Sequence, residues 1–235
     1  MKPILLDLFC GAGGAAMGYY RAGFEVVGVD IKPQPHFPFR FIQGDATTFP
    51  LGGFDAIHAS PPCQAYSTGV SSRSSKWVPT LGKDEPALIG VMRERLGLAG
   101  VPWVIENVMG ARPEMRSPTL LCGSMFGLDI PRHRLFETPF PVAQPCHPNC
   151  RGIARAASTR RGWEYRDMSV TGKGRHAGTA ARWAELLGVT WPMTQHELAE
   201  SIPPAYTEWI GQRLMDAIQH TGNNCGRMDV CQSST

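Results

Sequence analysis

Charge is sparse in this chain, and long apolar runs are missing. Only 18% of residues are Asp, Glu, Lys or Arg, and the formal net charge is +3. That excludes a histone-like polycation, although one local basic patch would still serve a nucleic-acid enzyme. No apolar stretch approaches the roughly 20 residues needed to span a bilayer, so no membrane role is expected. Asp7 stands where a signal peptide needs its apolar stretch. A cytoplasmic protein of a bacterial or phage-infected cell is the expectation. Internal repeats are absent.

What is present is globular composition. Apolar residues make up 43% of 235, enough for one sizeable domain with at most a small appendage. The 26 glycines and 20 prolines favour short elements joined by shaped loops over long helical bundles. Seven cysteines are scattered along the chain. In a reducing compartment they are expected to be unpaired, catalytic or metal-bound.

Residues 3–9 read as a buried strand, a glycine cluster follows, and Ala15–Ala22 reads as a helix closed by Gly23. Residues 24–29 read as a second strand, ending at Asp30. This βαβ order predicts a parallel sheet and an α/β fold. Further strands are expected at Phe39–Ile42, Phe54–Ala59 and Val101–Ile105, with a helix over Glu85–Leu98. Residues 65–80 read as a mobile loop. Thr179–Leu187, Thr194–Ser201 and Tyr206–His220 read as helices. Polar residues follow the strand ends near 30, 59 and 106, where ligands bind in open α/β sheets.

Four short motifs carry candidate chemistry. In Asp7-Leu8-Phe9-Cys10-Gly11-Ala12-Gly13-Gly14, glycines at a strand-to-helix turn admit either a nucleotide or merely a tight turn. Asp30, about 20 residues on, suits ribose hydroxyls. In Ser60-Pro61-Pro62-Cys63-Gln64, two prolines stiffen the backbone before a thiol, which is either a nucleophile or a small buried hydrophobe. Glu106-Asn107-Val108 places a carboxyl after an apolar strand, as a proton donor with raised pKa or as a plain cap. In Arg132-His133-Arg134, strand alternation would point both arginines one way, toward phosphate or base oxygens or toward solvent.

Together, in this order and at these distances, the four motifs resemble the cytosine-C5 DNA methyltransferase family, in a small phage-like or orphan form. Gly44-Asp45 resembles that family's adenine-binding motif. Ile202-Pro203-Pro204-Ala205-Tyr206 resembles its last motif, and Met193-Thr194-Gln195-His196-Glu197 the one before. Ala199-Glu200 stand where the family usually carries Gly-Asn. The resemblance implies a Rossmann-like S-adenosylmethionine-dependent methyltransferase sheet with a small irregular target-recognition region. Residues 1–138 and 192–222 would form the catalytic domain, 139–191 the recognition region and 223–235 a disordered tail. It implies S-adenosylmethionine bound by Phe9, Gly11, Gly13, Gly14, Asp30 and Asp45. Cys63 would attack C6 of a flipped cytosine, with Glu106, Arg132 and Arg134 assisting.

Double-stranded DNA is the implied partner, and no protein partner is readable. Arg73 and Lys76 in the loop after Cys63 would contact phosphates. So would Arg151, Arg155, Arg160, Arg161, Arg166, Lys173 and Arg175, the bases of a stretch with seven Lys/Arg against two acids. The competing readings are a tRNA substrate, and a silent binding protein on the same fold. Cys146 and Cys150 have zinc-like spacing, with Cys122 or His176 as further ligands. No second close pair completes the set, so no metal is assigned.

Overall fold

A computed structural model describes residues 1–66, 68–70, 77–79, 86–148, 150 and 179–225, with backbone alone at 68–70, 77–79 and 221–225. The strands are β1 (Ile4–Leu8), β2 (Glu25–Asp30), β3 (Arg40–Gln43), β4 (Ala56–Ala59), β5 (Thr68–Val70), β6 (Trp77–Pro79), β7 (Trp103–Asn107), β8 (Thr119–Leu121) and β9 (Arg134–Glu137). The helices are α1 (Gly14–Arg21), α2 (Ile89–Gly97), α3 (Ala180–Leu187), α4 (Gln195–Glu200) and α5 (Pro204–Cys225). Seven strands form one sheet in the order β3-β2-β1-β4-β7-β9-β8. The first five in that order run parallel, and β9 is antiparallel to both its neighbours.

The pleat decides which side chain faces which helix layer. Leu5, Val26, Ala56, Val104 and Phe136 point toward α1 and α5 and join one core with Tyr19, Tyr206 and Ile210. Leu6, Leu8, Ile57, Ala59, Ile105 and Leu135 point the other way and pack with Ile89, Met92 and Leu96 of α2. The same alternation puts Asp7, His58, Glu106 and Arg134 on the α1/α5 side, toward the carboxyl ends of β1, β4 and β7. Asp7 is directly paired with His58.

The two glycine-bearing helices α1 and α5 sit unusually close. A Cβ on Gly18 would come within 2.6 Å of the Glu208 amide, and one on Gly211 within 2.6 Å of Ala22. Thr207 Oγ1 also donates to the Ala15 carbonyl at 2.8 Å. Glycine is therefore needed here for helix approach, not for turn formation. A third, smaller core holds Ile130, Trp183, Leu187, Val189 and Leu198. It seats α3 and α4 against the segment before β9. The Thr194 motif forms a full capping box with Glu197, and Glu197 also reaches His36 at 2.9 Å.

Three expectations are corrected. Residues 68–70 and 77–79 form an antiparallel pair, consistent with their Thr, Val and Trp content; residues 67, 71–76 and 80 lie outside the described residues. The outer strand β8 was not foreseen, because three residues are too few to show a period. The C-terminal helix runs to Cys225, past the expected end at His220, and the remainder of the tail is outside the described residues. No helix among the described residues is long and apolar enough to cross a membrane.

Candidate active site

The glycine turn joins β1 to α1. Phe9 adopts φ 59 and Gly11 φ 48, so the chain kinks sharply as it leaves the sheet. Gly11 donates its amide to Asp30 Oδ2 at 3.1 Å, and Lys32 donates to Oδ1 at 3.0 Å. The Asp30 carboxylate is thereby fixed beside the turn. Nothing lies within 4 Å of where a Gly11 Cβ would be, which leaves the backbone open to a ligand. Gly13 and Gly14 have a different reason to be glycine. A Cβ on Gly13 would lie 2.7 Å from Pro38, and one on Gly14 would strike Ile202 and Ser201. Trp191 caps the turn from outside, its indole N–H donating to the Ala12 carbonyl at 3.0 Å.

Asp45 stands exposed after β3, with Oδ1 accepting from the Thr47 amide at 2.8 Å and hydroxyl at 2.7 Å. Those bonds hold its pKa below the usual carboxylate range. Asp7 is its opposite. It is fully buried, and neither carboxyl oxygen has a hydrogen-bond partner. Burial, then the fields of Asp30 and Glu106, push its pKa well up.

At the end of β4 the chain turns into the Pro61-Pro62 loop. Asn107 donates to the Pro61 carbonyl at 2.9 Å, and the Ser60 amide bonds the Leu8 carbonyl at 3.2 Å. The loop carrying Cys63 is thus tied to β1 and β7. Tyr66 N–H closes a turn on the Cys63 carbonyl at 2.9 Å.

Glu106, on β7, is 5% exposed. Burial raises its pKa, while Arg134, a hydrogen bond from Ser60, and Arg132 oppose the rise. Arg134 Nε lies 3.2 Å from Oε1. Ser60 belongs to a buried chain: Tyr19 hydroxyl to His58 Nδ1 at 2.8 Å, and His58 Nε2 to Ser60 Oγ at 2.7 Å. Burial drops the His58 pKa to about 3, so its imidazole is neutral. A neutral ring donates from one nitrogen only. With Tyr19 donating to Nδ1, Nε2 donates to Ser60, whose hydroxyl is then free to donate to Glu106.

Arg132 and Arg134 meet the same region, but not by strand alternation, since β9 begins at Arg134. Arg132 precedes the strand and is 8% exposed. It donates Nη2 to the Ala199 carbonyl at 2.6 Å, and its own carbonyl accepts from Tyr206 hydroxyl at 2.5 Å. Burial, then the neighbouring Arg134, lower its pKa to about 9. Arg132 also feels the field of Cys63, which puts thiol and guanidinium in one neighbourhood. The departure at Ala199 is harmless in this respect, because its backbone does the work.

The structure therefore gathers Cys63, Glu106, Arg132 and Arg134 at the carboxyl ends of β4 and β7, with Phe9, Gly11 and Asp30 at the neighbouring end of β1 and β2. Arg73, Lys76, Arg151, Arg155, Arg160, Arg161, Arg166, Lys173 and Arg175 lie outside the described residues, as does His176. Sequence reasoning missed Asp7, Ser60, Asn107 and Tyr206 as site-building groups. Asn107 and Ser60 sat within quoted motifs, and their polarity beside apolar strands was the available signal.

Comparison with known proteins bears on the fold. The fold is that of Rossmann-like, S-adenosylmethionine-dependent methyltransferases. A candidate DNA modification methyltransferase encoded within an E. coli prophage superposes with TM-score 0.59 at 15% identity, covering 93% of this chain and 100% of that one. Dnmt2 methyltransferase of S. pombe gives 0.54 at 14%, covering 92% and 99%. EhMeth of Entamoeba histolytica gives 0.59 at 12%, covering 92% and 98%. In sequence, the type II methyltransferase M1.HphI of Haemophilus parahaemolyticus is 33% identical over 28% of this chain. The match spans only 23% of that relative's length. No family model matches the chain.

Proposed function

We propose that the chain is a DNA cytosine-C5 methyltransferase that acts on a base flipped out of the duplex. The observation that carries this reading is one constellation. A thiol on a pinned Pro-Pro loop neighbours a buried arginine, and a buried carboxyl with raised pKa is held by Ser60 and Arg134.

Cytosine C5 is a poor nucleophile. The Cys63 thiolate adds to C6, forming a C–S bond and moving an electron pair toward C5. Glu106 donates to ring N3 and accepts from the exocyclic amine, which offsets charge as the thiolate adds. Burial favours the protonated form that makes this donation. Arg134 holds the base O2, and Arg132 positions the base or an adjacent phosphate. S-adenosylmethionine supplies the methyl group to C5. Water, as a base, takes the C5 proton; that electron pair re-forms the C5–C6 double bond, and the C–S bond breaks with its pair returning to Cys63 as thiolate. Extruding the base costs roughly a few kcal/mol.

The residues present fit the cofactor. Gly11 leaves its backbone open, Phe9 supplies a ring, and Asp30 and Asp45 supply acceptors. Such a site suits a ligand carrying sulfonium and ammonium charge. Residues 139–191 would form a small recognition region reading a short target, with the basic stretch 151–175, Arg73 and Lys76 on phosphates.

Bisulfite sequencing of plasmid DNA from expressing cells, beside a Cys63→Ala control, tests the reading. Protected cytosines in a repeated short context, lost in the control, are expected. Uniform conversion in both, with folded protein at equal level, would refute the DNA enzyme. Transfer of labelled methyl to tRNA in that case would assign the RNA reading.

A further inference from the structure

Four metal-type donors converge behind the two site arginines: Cys122, His133, His147 and Cys150, all within 4.8 Å of one another. We propose that they form a structural zinc site, which ties the entry of the recognition region to the catalytic sheet. The sequence spacing pointed to Cys146 and Cys150. The structure instead leaves Cys146 exposed and brings in His133, which sits between Arg132 and Arg134.

The geometry is close to that of a bound tetrahedral ion. Zn–S near 2.3 Å and Zn–N near 2.05 Å would separate sulfur from nitrogen by about 3.6 Å. Cys150 Sγ lies 3.6 Å from His133 Nε2. The His133 and His147 rings stand 5.3 Å apart at 75°, so they approach one point from different directions. His147 Nε2 is buried and has no hydrogen-bond partner among the described residues, an orphan that a metal bond would satisfy. Cys122 is fully buried immediately after β8, and Ser124 Oγ lies 3.2 Å from its sulfur, as an outer-shell donor.

The donor set selects the metal and the role. Two thiolates with two imidazoles suit zinc among common divalent ions. Four protein ligands leave no open position, which is the structural pattern and not the catalytic one. Binding displaces two thiol protons, and the resulting site carries no net charge. Neutrality matters because Arg132 and Arg134 flank His133.

Residues 141–148 and Cys150 are exposed or half-buried; Val142 packs on a core, and the Val142 and Ala143 carbonyls accept from Thr119 and Trp209. A zinc ion would fasten this segment to β8 and to the start of β9. It would also fix the His133 backbone, whose carbonyl accepts from Arg134 Nη1 at 2.9 Å.

The test is metal analysis of the full chain purified without chelator, with cobalt loading of the metal-stripped protein. About one equivalent of zinc is expected, and cobalt should give tetrahedral ligand-field bands with thiolate charge transfer. His147→Gln and Cys150→Ser should each retain less than about a tenth of an equivalent, whereas Cys146→Ser should keep the full amount. Wild-type zinc below about a tenth of an equivalent without a thiolate-cobalt spectrum would overturn the site. So would a metal-free Cys122–Cys150 disulfide, or loss of metal in Cys146→Ser alone. If a variant does not fold, the wild-type cobalt spectrum still decides. None of these readouts depends on methyl transfer, so the site stands or falls separately from the proposed function.

Discussion

Asp7→Asn should change the pH dependence of stability in a defined direction. Asp7 is fully buried with neither oxygen hydrogen-bonded, and burial raises its pKa well above the ordinary value. The native state therefore holds the proton more tightly than the unfolded chain does. Its favourable contribution is complete below the ordinary carboxylate pKa near 3.9. It is lost as pH rises toward the folded pKa. While the native state keeps one extra proton, stability falls by about 1.4 kcal/mol per pH unit. From pH 5 to pH 7 the loss from this one group reaches about 2.7 kcal/mol at most.

Asparagine keeps the shape and removes the titration. Its amide leaves buried polar atoms unsatisfied, as the protonated acid does, so the two proteins should differ by less than about 1 kcal/mol near the ordinary carboxylate pKa of about 3.9. At pH 7 the variant should be the more stable, by up to about 1.4 kcal/mol for each pH unit over which the native acid stays protonated. Urea unfolding of both proteins at pH 5, 6 and 7 measures the difference directly. Glu106 titrates in both proteins, so its contribution largely cancels. A wild-type-to-variant difference that stays flat within about 0.5 kcal/mol would refute the argument. It would mean that Asp7 is charged and satisfied in the native state.

Tyr206→Phe removes the hydroxyl that holds the Arg132 carbonyl. It should cost about 1 kcal/mol of stability and lower kcat for methyl transfer more than it raises KM for cofactor, as steady-state kinetics would register. Gly18→Ala forces a methyl against the Glu208 amide, a 2.6 Å approach, and should destabilise by about 2–4 kcal/mol in urea unfolding. Asn107→Ala leaves the Pro61 carbonyl without its donor. It should cost about 1–3 kcal/mol and slow alkylation of Cys63 by a bulky maleimide less than it slows methyl transfer, because the thiol remains while its placement is lost.

The parallel half of the sheet was legible because each buried strand is an apolar run bounded by glycine or acid. The residues from Ile4 to Asp30 read as βαβ, and the register of β1 on β2 bears that out. The antiparallel edge was not legible. Strands of three or four residues such as β8 carry no period, and a proline-rich chain around them hides their ends. Gly13 and Gly14 show a different gap. Their sequence context suggests ligand contact, but their immediate neighbours are Pro38, Ser201 and Ile202. Only tertiary packing reveals that the glycine turn is also a docking surface for the C-terminal segment. His133 was hidden for a similar reason, since its partners arrive from positions 122, 147 and 150.

Arg132 gives the C-terminal segment a reason to pack beside β9. A buried guanidinium is costly unless its donors are met, and a pKa lowered to about 9 expresses that burial. Its side chain is met by the Ala199 carbonyl, and its backbone by Tyr206. Both partners come from the C-terminal segment, which is seated on α1 through Gly14, Gly18 and Thr207. That same α1 begins at the glycine turn. The glycine-turn backbone and the buried arginine are thus braced by one continuous packing unit. The region between β9 and α3 needs only to leave this unit and rejoin it. Its length is then free to be small without disturbing the geometry on which the proposed chemistry depends.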